Sequence, residues 1–77
     1  MARRPVYEIR RSLIVARVWR KKQGTVVRHV VTVARLFRNG TEWKESTRFS
    51  PDDLPLVRHV LDKAHTWILL SGGARQS

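Results

Sequence analysis

The sequence predicts an α+β fold in which a curved antiparallel sheet of four strands precedes one C-terminal helix (ββββα). Residues 6 to 49 are rich in Val, Ile, Thr and aromatic residues, which strands favour. Turns at Gly24 and Asn39-Gly40 divide this stretch. The segment Ser50-Pro51-Asp52-Asp53 then has the residue types that begin a helix. Strands followed by a helix are the order of an α+β domain.

The strands are predicted in order from the positions of turn residues. Arg10-Arg11-Ser12 interrupts the first β-rich stretch, which gives two strands at about 6–10 and 13–20. The turn KKQGT leads to the third strand, 25–38, which contains no Gly or Pro. Asn39-Gly40 favours a type I′ hairpin turn. The fourth strand then covers residues 42–49.

The helix is predicted from residue 51 to about residue 70. Ser50 is the N-cap, and Pro51 takes the first helical position, where its missing N–H is not needed. Asp53 stands three residues after the cap, where an acidic side chain can bond back to the cap residue. Glycines at 72 and 73 follow the helix, and Gly is common after a helix C-terminus.

Apolar residues occupy two adjoining stripes of this helix, a wider arc than packing on one small sheet requires. We expect the first stripe to pack on the sheet and the second to form a homodimer interface. The alternative is that a curved sheet wraps the helix and covers both. The first stripe is Leu54, Val57, Leu61, Ala64 and Ile68, and the second is Leu56, Val60 and Trp67.

The length of the chain and the composition of its two ends predict the domain organisation. Seventy-seven residues make one domain, divided into a basic tail at 1–5, the ββββα domain at 6–70 and a flexible tail at 71–77. A chain this short buries only about 60% of its unfolded surface, which also favours a homodimer. The N-terminus has no apolar segment typical of a secretory signal. We expect a cytoplasmic location, with nucleoid association as an option.

Charge is the strongest functional signal in the sequence. The sequence contains sixteen Lys and Arg but only six Asp and Glu, which gives a formal net charge of +10. Such an excess is typical of proteins with a polyanionic partner, most often nucleic acid and less often an anionic membrane. Twelve of these cations are Arg, the better bidentate phosphate ligand. The alternative is a charged surface that only confers solubility.

Basic and aromatic residues interleave along the predicted strands, as they do where single-stranded nucleic acid binds. The alternative is that Trp19 and Phe37 are apolar filler beneath long Arg stems. We also expect Trp43 and Phe49 to face the helix while Ser46 faces the nucleic acid with its neighbouring cations. The candidate nucleic-acid-binding residues are Arg17, Trp19, Lys21, Lys22, Arg35, Phe37, Arg38, Lys44 and Arg48.

No pattern indicates a catalytic site, a cofactor or a metal. The chain has no Cys, and His29, His59 and His65 lack ligand spacing. Asp52 and Asp53 are adjacent, so on a helix they point apart, and capping explains them. Phosphate-binding glycine motifs are absent. We therefore expect a protein that is not an enzyme and has no small-molecule substrate.

The order of the elements resembles the C-terminal domain of the transcriptional coactivator positive cofactor four, and PUR and Whirly proteins contain related ββββα units. The segments WKESTRF and FSPDDLPLVRHVLDKAHTWI also resemble a group of small bacterial proteins of unassigned function. The coactivator resemblance covers residues 7–70 as topology. It implies a dimer whose helices meet and whose sheets bind single-stranded DNA through residue types such as those of the candidate set. The coactivator's acidic, serine-rich regulatory region has no counterpart here.

The sequence therefore predicts a homodimer that binds single-stranded nucleic acid with low sequence specificity, with DNA favoured over RNA. One alternative is an RNA-binding or ribosome-associated module. Another is a protein-interaction domain whose basic face docks an acidic partner.

Overall fold

A computed structural model describes residues 4–71 and has the predicted fold class, with four antiparallel strands followed by one helix. The strands form one sheet in the order β1-β2-β3-β4. The predicted tails fall mainly outside the described residues. The elements are β1 (Tyr7–Arg11), β2 (Ile14–Gln23), β3 (Val26–Asn39), β4 (Glu42–Ser46), a 3-10 turn (Pro51–Asp53) and α1 (Leu54–Leu70).

Each hairpin is closed by a turn of two residues. The register pairs Arg11 with Ile14, Gln23 with Val26, and Asn39 with Glu42. The third turn is therefore Gly40-Thr41, and only Gly40 has a positive φ, of 68°. A type I′ turn at Asn39-Gly40 needs two positive φ angles, so that prediction is wrong. A positive φ at the first position alone is typical of type II′.

Ser12 is the first residue of the β1–β2 turn and has a φ of 56°. This left-handed conformation costs a non-glycine residue about 1–2 kcal/mol. Gly24 and Gly40 take the same position in the other two turns. We expect Ser12→Gly to stabilise the protein by up to about 1 kcal/mol, because the relief of strain exceeds the added entropy of the unfolded chain. Urea unfolding measures this, and a lower midpoint than wild type would contradict it.

Two-residue turns determine which residues share a face of the sheet. Paired residues lie on the same face, and Ala16 pairs with both Ile9 and Val33. This face packs against α1 and is called the helix-side face. The opposite one is called the outer face. The buried core consists of Ile14, Ala16 and Val18 of β2 with Val60 and Ala64 of α1.

The helix packs on the sheet with parts of both stripes. Three residues of the first stripe lie in or against the core, as expected: Val57, Ala64 and Ile68. Val60 has no exposed surface, and Leu56 and Trp67 pack against the same core. Trp67 stacks on Tyr7 with ring centroids 5.0 Å apart, and His29 meets it edge-on at 6.0 Å. A residue enclosed in its own subunit cannot contact a partner, so the predicted dimer interface is wrong for Val60. Leu54 and Leu61 of the first stripe remain 55% and 40% exposed.

The predicted interaction between Ser50 and Asp53 forms, but Pro51–Asp53 is a 3-10 turn and the α-helix begins at Leu54 rather than at residue 51. The Asp53 carboxylate accepts hydrogen bonds from the backbone N–H and the hydroxyl of Ser50, at 2.9 and 3.1 Å. Arg35 of β3 lies 3.3 Å from the same oxygen. The Ser50 backbone N–H is the main reason that the pKa of Asp53 is lowered. This carboxylate therefore fastens the helix start to β3.

The fourth strand is shorter than predicted and ends at Ser46 rather than Phe49. Phe49 nevertheless packs against the core, as expected. Thr47 to Ser50 form an irregular segment that carries the chain from the sheet edge to the helix-side face.

The β2–β3 hairpin extends beyond the rest of the sheet. The pairing of β1 with β2 reaches only to Val18, and the pairing of β4 with β3 only to Arg35. Residues 19–30 consequently form a two-stranded ribbon, in which 20 to 28 are all exposed. The radius of gyration is 14.1 Å, against about 11 Å for a compact domain of the described length. The projecting ribbon accounts for this elongated shape.

Candidate nucleic-acid interface

The sheet divides the predicted binding residues between its two faces. The register pairs Arg17 with Thr32, whereas Arg35 pairs with Ile14 of the core. Cations and rings expected on one surface therefore lie on opposite sides, and the single nine-residue surface is not formed. The outer face carries Arg17, Trp19, Lys21 and Arg38, the helix-side face carries Lys22, Arg35, Phe37 and Lys44, and Arg48 follows β4.

The faces of β4 are the reverse of those predicted. Trp43 pairs with Arg38 on the outer face and is 58% exposed. Lys44 pairs with Phe37 and Ser46 with Arg35, both on the helix-side face. The sequence predicts the core side for Trp43 because alternation groups it with Phe49, opposite Lys44 and its polar neighbours. Its partner Arg38 shares the outer face with Ala34 and Thr32, at alternate positions along β3, and this fixes the opposite orientation.

One part of the outer face is electrically neutralised within the chain. The guanidinium of Arg17 donates two hydrogen bonds to the Glu45 carboxylate, at 2.7 and 3.1 Å, and lies 3.5 Å from Glu8. The pair spans β3, where the small side chain of Ala34 leaves room and is itself buried. Paired in this way, Arg17 is a structural tie across the sheet, and a phosphate would have to compete with two carboxylates for its guanidinium.

This ion pair makes part of the stability depend on pH. The hydrogen bonds from Arg17 lower the pKa of Glu45. The folded protein thus favours the carboxylate, and its contribution is complete above about pH 5 and is lost as the pH falls below about 4. Because the pair is half-exposed, we expect Glu45→Gln to cost at most about 1 kcal/mol at pH 7.

Urea unfolding at pH 7 and pH 3 tests this pH dependence. The difference in the free energy of unfolding between Glu45→Gln and wild type should be smaller at pH 3 than at pH 7. Glu42→Gln, an equal change of charge on the same strand but the other face, serves as the control. A difference that stayed constant between the two pH values would show that the Arg17 contact contributes nothing through charge.

The ribbon is the most basic part of the described chain. Arg20, Lys21, Lys22 and Arg28 are all exposed there. No acidic residue occurs anywhere between Glu8 and Glu42 in the sequence. Within residues 4–71, the nearest carboxylates on the outer face are those already bonded to Arg17. The ribbon therefore carries a concentrated positive charge with no acidic residue in its own sequence.

Trp19 lies where the ribbon joins the sheet. Its indole N–H donates a hydrogen bond of 2.9 Å to the hydroxyl of Thr32 on the neighbouring strand. The ring thus reaches across the outer face, and it lines a shallow depression with Thr32, Val30 and Lys21. A partly exposed ring beside a lysine is an arrangement on which a base can stack while the ammonium group meets a phosphate.

Trp43 forms a second aromatic position on the outer face. The guanidinium carbon of Arg38 lies 5.9 Å from its ring centroid, within range of a cation–π contact. Arg38 also donates a hydrogen bond of 3.2 Å to the carbonyl of Gly40. This ring is supported on one side by a flexible side chain, whereas Trp19 is held by a hydrogen bond to the sheet.

Sequence reasoning missed Arg20 and Arg28 as members of the basic surface. The signal that could have found them is the turn Gly24-Thr25. Once this turn is taken as the centre of the hairpin, Lys21 pairs with Arg28 and Arg20 with His29. Counting outward from this turn then places all the cations of the ribbon on its two paired strands.

Within residues 4–71, no group of His, Asp or Glu side chains has the arrangement of a metal site. The helix in the described part of the chain is neither long nor apolar enough to span a membrane. The chain gave no match to a protein-family model, to a curated protein or to a solved structure. The resemblance to the coactivator, PUR and Whirly proteins therefore stays a prediction.

Proposed function

We propose that the protein binds single-stranded nucleic acid, with DNA favoured and with low sequence specificity, on the outer face around Trp19 and the adjoining ribbon. The observation that carries this proposal is the concentration of exposed cations beside a ring fixed on the sheet. Lys21 and Arg28 share the outer face with Trp19. Phosphates would meet these two side chains while a base stacks on the ring.

Two alternatives share part of this surface. An RNA ligand would use the same ring and cations, and comparing DNA and RNA oligomers of one sequence separates the two. An acidic protein partner would use the cations without stacking on Trp19. Quenching of tryptophan fluorescence by oligo-dT but not by a poly-glutamate peptide supports the nucleic-acid proposal, and the reverse result opposes it.

The salt dependence of binding locates the phosphates that the protein neutralises. For single strands, each neutralised phosphate contributes about 0.7 to the magnitude of the slope of log K against log salt. Lys21→Ala and Arg28→Ala should each weaken oligo-dT binding and reduce the slope by this amount. Lys63→Ala, which removes one positive charge from an exposed position of α1, should change neither. Equal effects at all three positions would mean that net charge alone attracts the oligomer.

The protein is also proposed to be a homodimer, through the exposed edge of α1 at Leu54 and Leu61 rather than through the buried Val60. Leu54, Val57 and Leu61 line a shallow groove with Arg58, Asp62 and His65. A second copy fits this groove because its charges are self-complementary. Two helices crossing antiparallel at the level of residue 60 would place each Arg58 beside the other copy's Asp62. Sedimentation at micromolar concentration tests this, and a monomer would refute it.

A further inference from the structure

Cations lie on both faces of the ribbon. Lys21 and Arg28 form a pair on the outer face. Arg20 and Lys22 lie opposite His29 and Val27 on the continuation of the helix-side face, which is called the reverse face of the ribbon. Arg20, Lys22 and Val27 are exposed, so the helix does not cover the reverse face at these positions. Successive side chains of a strand point to opposite sides of its sheet. A single strand bound on the outer face would therefore not reach Arg20 and Lys22.

The dimensions of the ribbon match the groove of a duplex. The major groove of B-DNA is about 12 Å wide and 8.5 Å deep and admits a two-stranded β-ribbon. From the Arg20–His29 pair to the Gln23–Val26 pair at its tip, the ribbon rises about 10 Å at 3.3 Å per residue. A groove has phosphates along both walls. A ribbon that enters tip-first with cations on both faces meets both rows of phosphates.

The tip itself is polar and narrow. Its turn consists of Gly24 and Thr25, with Gln23 before it, and all three residues are exposed. Amide and hydroxyl side chains are among the groups that hydrogen-bond to base edges in the major groove. Gly24 adds no side chain that would limit the approach. The tip is therefore compatible with the floor of a groove.

We propose that the ribbon enters the major groove of a duplex while the Trp19 surface holds an adjoining single strand. The preferred ligand is then a duplex with a single-stranded extension. This inference rests on the proposed single-strand binding at Trp19 and adds a second, distinct contact to it. The reverse-face cations distinguish the two contacts, because only the groove places phosphates next to Arg20 and Lys22.

Two double variants with the same change of charge test the proposal. Each of Arg20→Ala with Lys22→Ala and Lys21→Ala with Arg28→Ala removes one Arg and one Lys from exposed positions. Fluorescence anisotropy would measure their affinities for an oligo-dT, a blunt duplex and a duplex with an oligo-dT extension, all with equal numbers of nucleotides. Thermal melting would confirm that both variants are folded.

Wild type should bind the tailed duplex at least tenfold more tightly than either of the other two ligands. The reverse-face variant should lack this advantage and should lower the salt slope of duplex binding by about 1.8, at 0.9 per neutralised phosphate. Its affinity for oligo-dT should stay within twofold of wild type. The outer-face variant should weaken binding of all three ligands.

Separate outcomes overturn the inference and the function on which it rests. If the tailed duplex binds no more tightly than oligo-dT, or if both double variants weaken all three ligands equally, groove insertion is wrong while single-strand binding stands. If oligo-dT does not bind, or binds without any contribution from Trp19, the proposed function fails as well.

Discussion

Replacing Val60 by glutamate should prevent the chain from folding. Val60 is completely buried and packs in the core with Ile14, Ala16 and Val18 of β2. A carboxylate there has no cationic partner in the core, and an unpaired buried charge costs more than about 4 kcal/mol. A domain of this length has a total free energy of unfolding of only about 4–11 kcal/mol. Far-ultraviolet circular dichroism at 25 °C should show an unfolded chain.

The neighbouring residue provides the control. Leu61 is 40% exposed, at the edge of its stripe that lies away from the core, so Leu61→Glu should leave the subunit folded. If the proposed dimer forms through this edge, the same variant should sediment as a monomer. A folded Val60→Glu protein would contradict the packing of α1 on the sheet. A folded, still dimeric Leu61→Glu protein would leave the fold intact and exclude this dimer interface.

The contrast between these two residues shows what the sequence could not decide about the helix. Both stripes were visible as a periodic pattern, but each contains residues of similar size and hydropathy. Which residues of each stripe reach the core depends on the rotation of α1 about its axis. That rotation is set by distant contacts, such as Trp67 stacking on Tyr7. The Ser50–Asp53 cap, by contrast, is a local interaction and could be predicted from four residues.

The sheet faces illustrate a different kind of limit. Element order and most strand boundaries follow from turn residues and β-branched runs, which are local signals. Assigning faces requires the register, and a turn of two residues makes odd-numbered positions of one strand pair with even-numbered positions of the next. Arg17 and Trp19 therefore cannot share a face with Arg35 and Phe37. The number of turn residues already contained this information, which hydropathy alone did not reveal.

Ion pairs within the chain are a third feature that the sequence alone does not show. Counting charges does not show that Arg17 is held by Glu8 and Glu45, because Glu45 is distant in sequence and the register that brings both carboxylates to it is not apparent. Arg35 is similarly fastened to Asp53. These contacts pair two of the predicted ligand-binding cations within the chain, whereas the ribbon has no acidic residue in its own sequence. A candidate cation must therefore be tested against the carboxylates that the fold brings to it.

The three tryptophans should respond differently to replacement by alanine, because each has a different environment. Trp67 packs against the core and stacks on Tyr7, so its replacement should cost about 3–5 kcal/mol of stability. Trp43 is 58% exposed, so its replacement should change the thermal midpoint little. Trp19 is partly exposed and bonded to Thr32, and its replacement should cost about 1 kcal/mol of stability.

The effects of these replacements on the affinity for oligo-dT should follow a different order from their effects on stability. If a base stacks on Trp19, Trp19→Ala should weaken oligo-dT binding by about 1–3 kcal/mol, or roughly 5- to 150-fold. The salt slope should stay near that of wild type, because the ring contacts no phosphate. Trp43→Ala is the matched control, since it removes an identical side chain from the same face at the far end of the sheet. Thermal midpoints and anisotropy titrations of both variants provide the measurements. A Trp19→Ala protein that binds oligo-dT as tightly as wild type would exclude stacking at this position. Weaker binding confined to Trp43→Ala would instead place the binding surface at the β3–β4 hairpin, where Arg38 lies over the Trp43 ring.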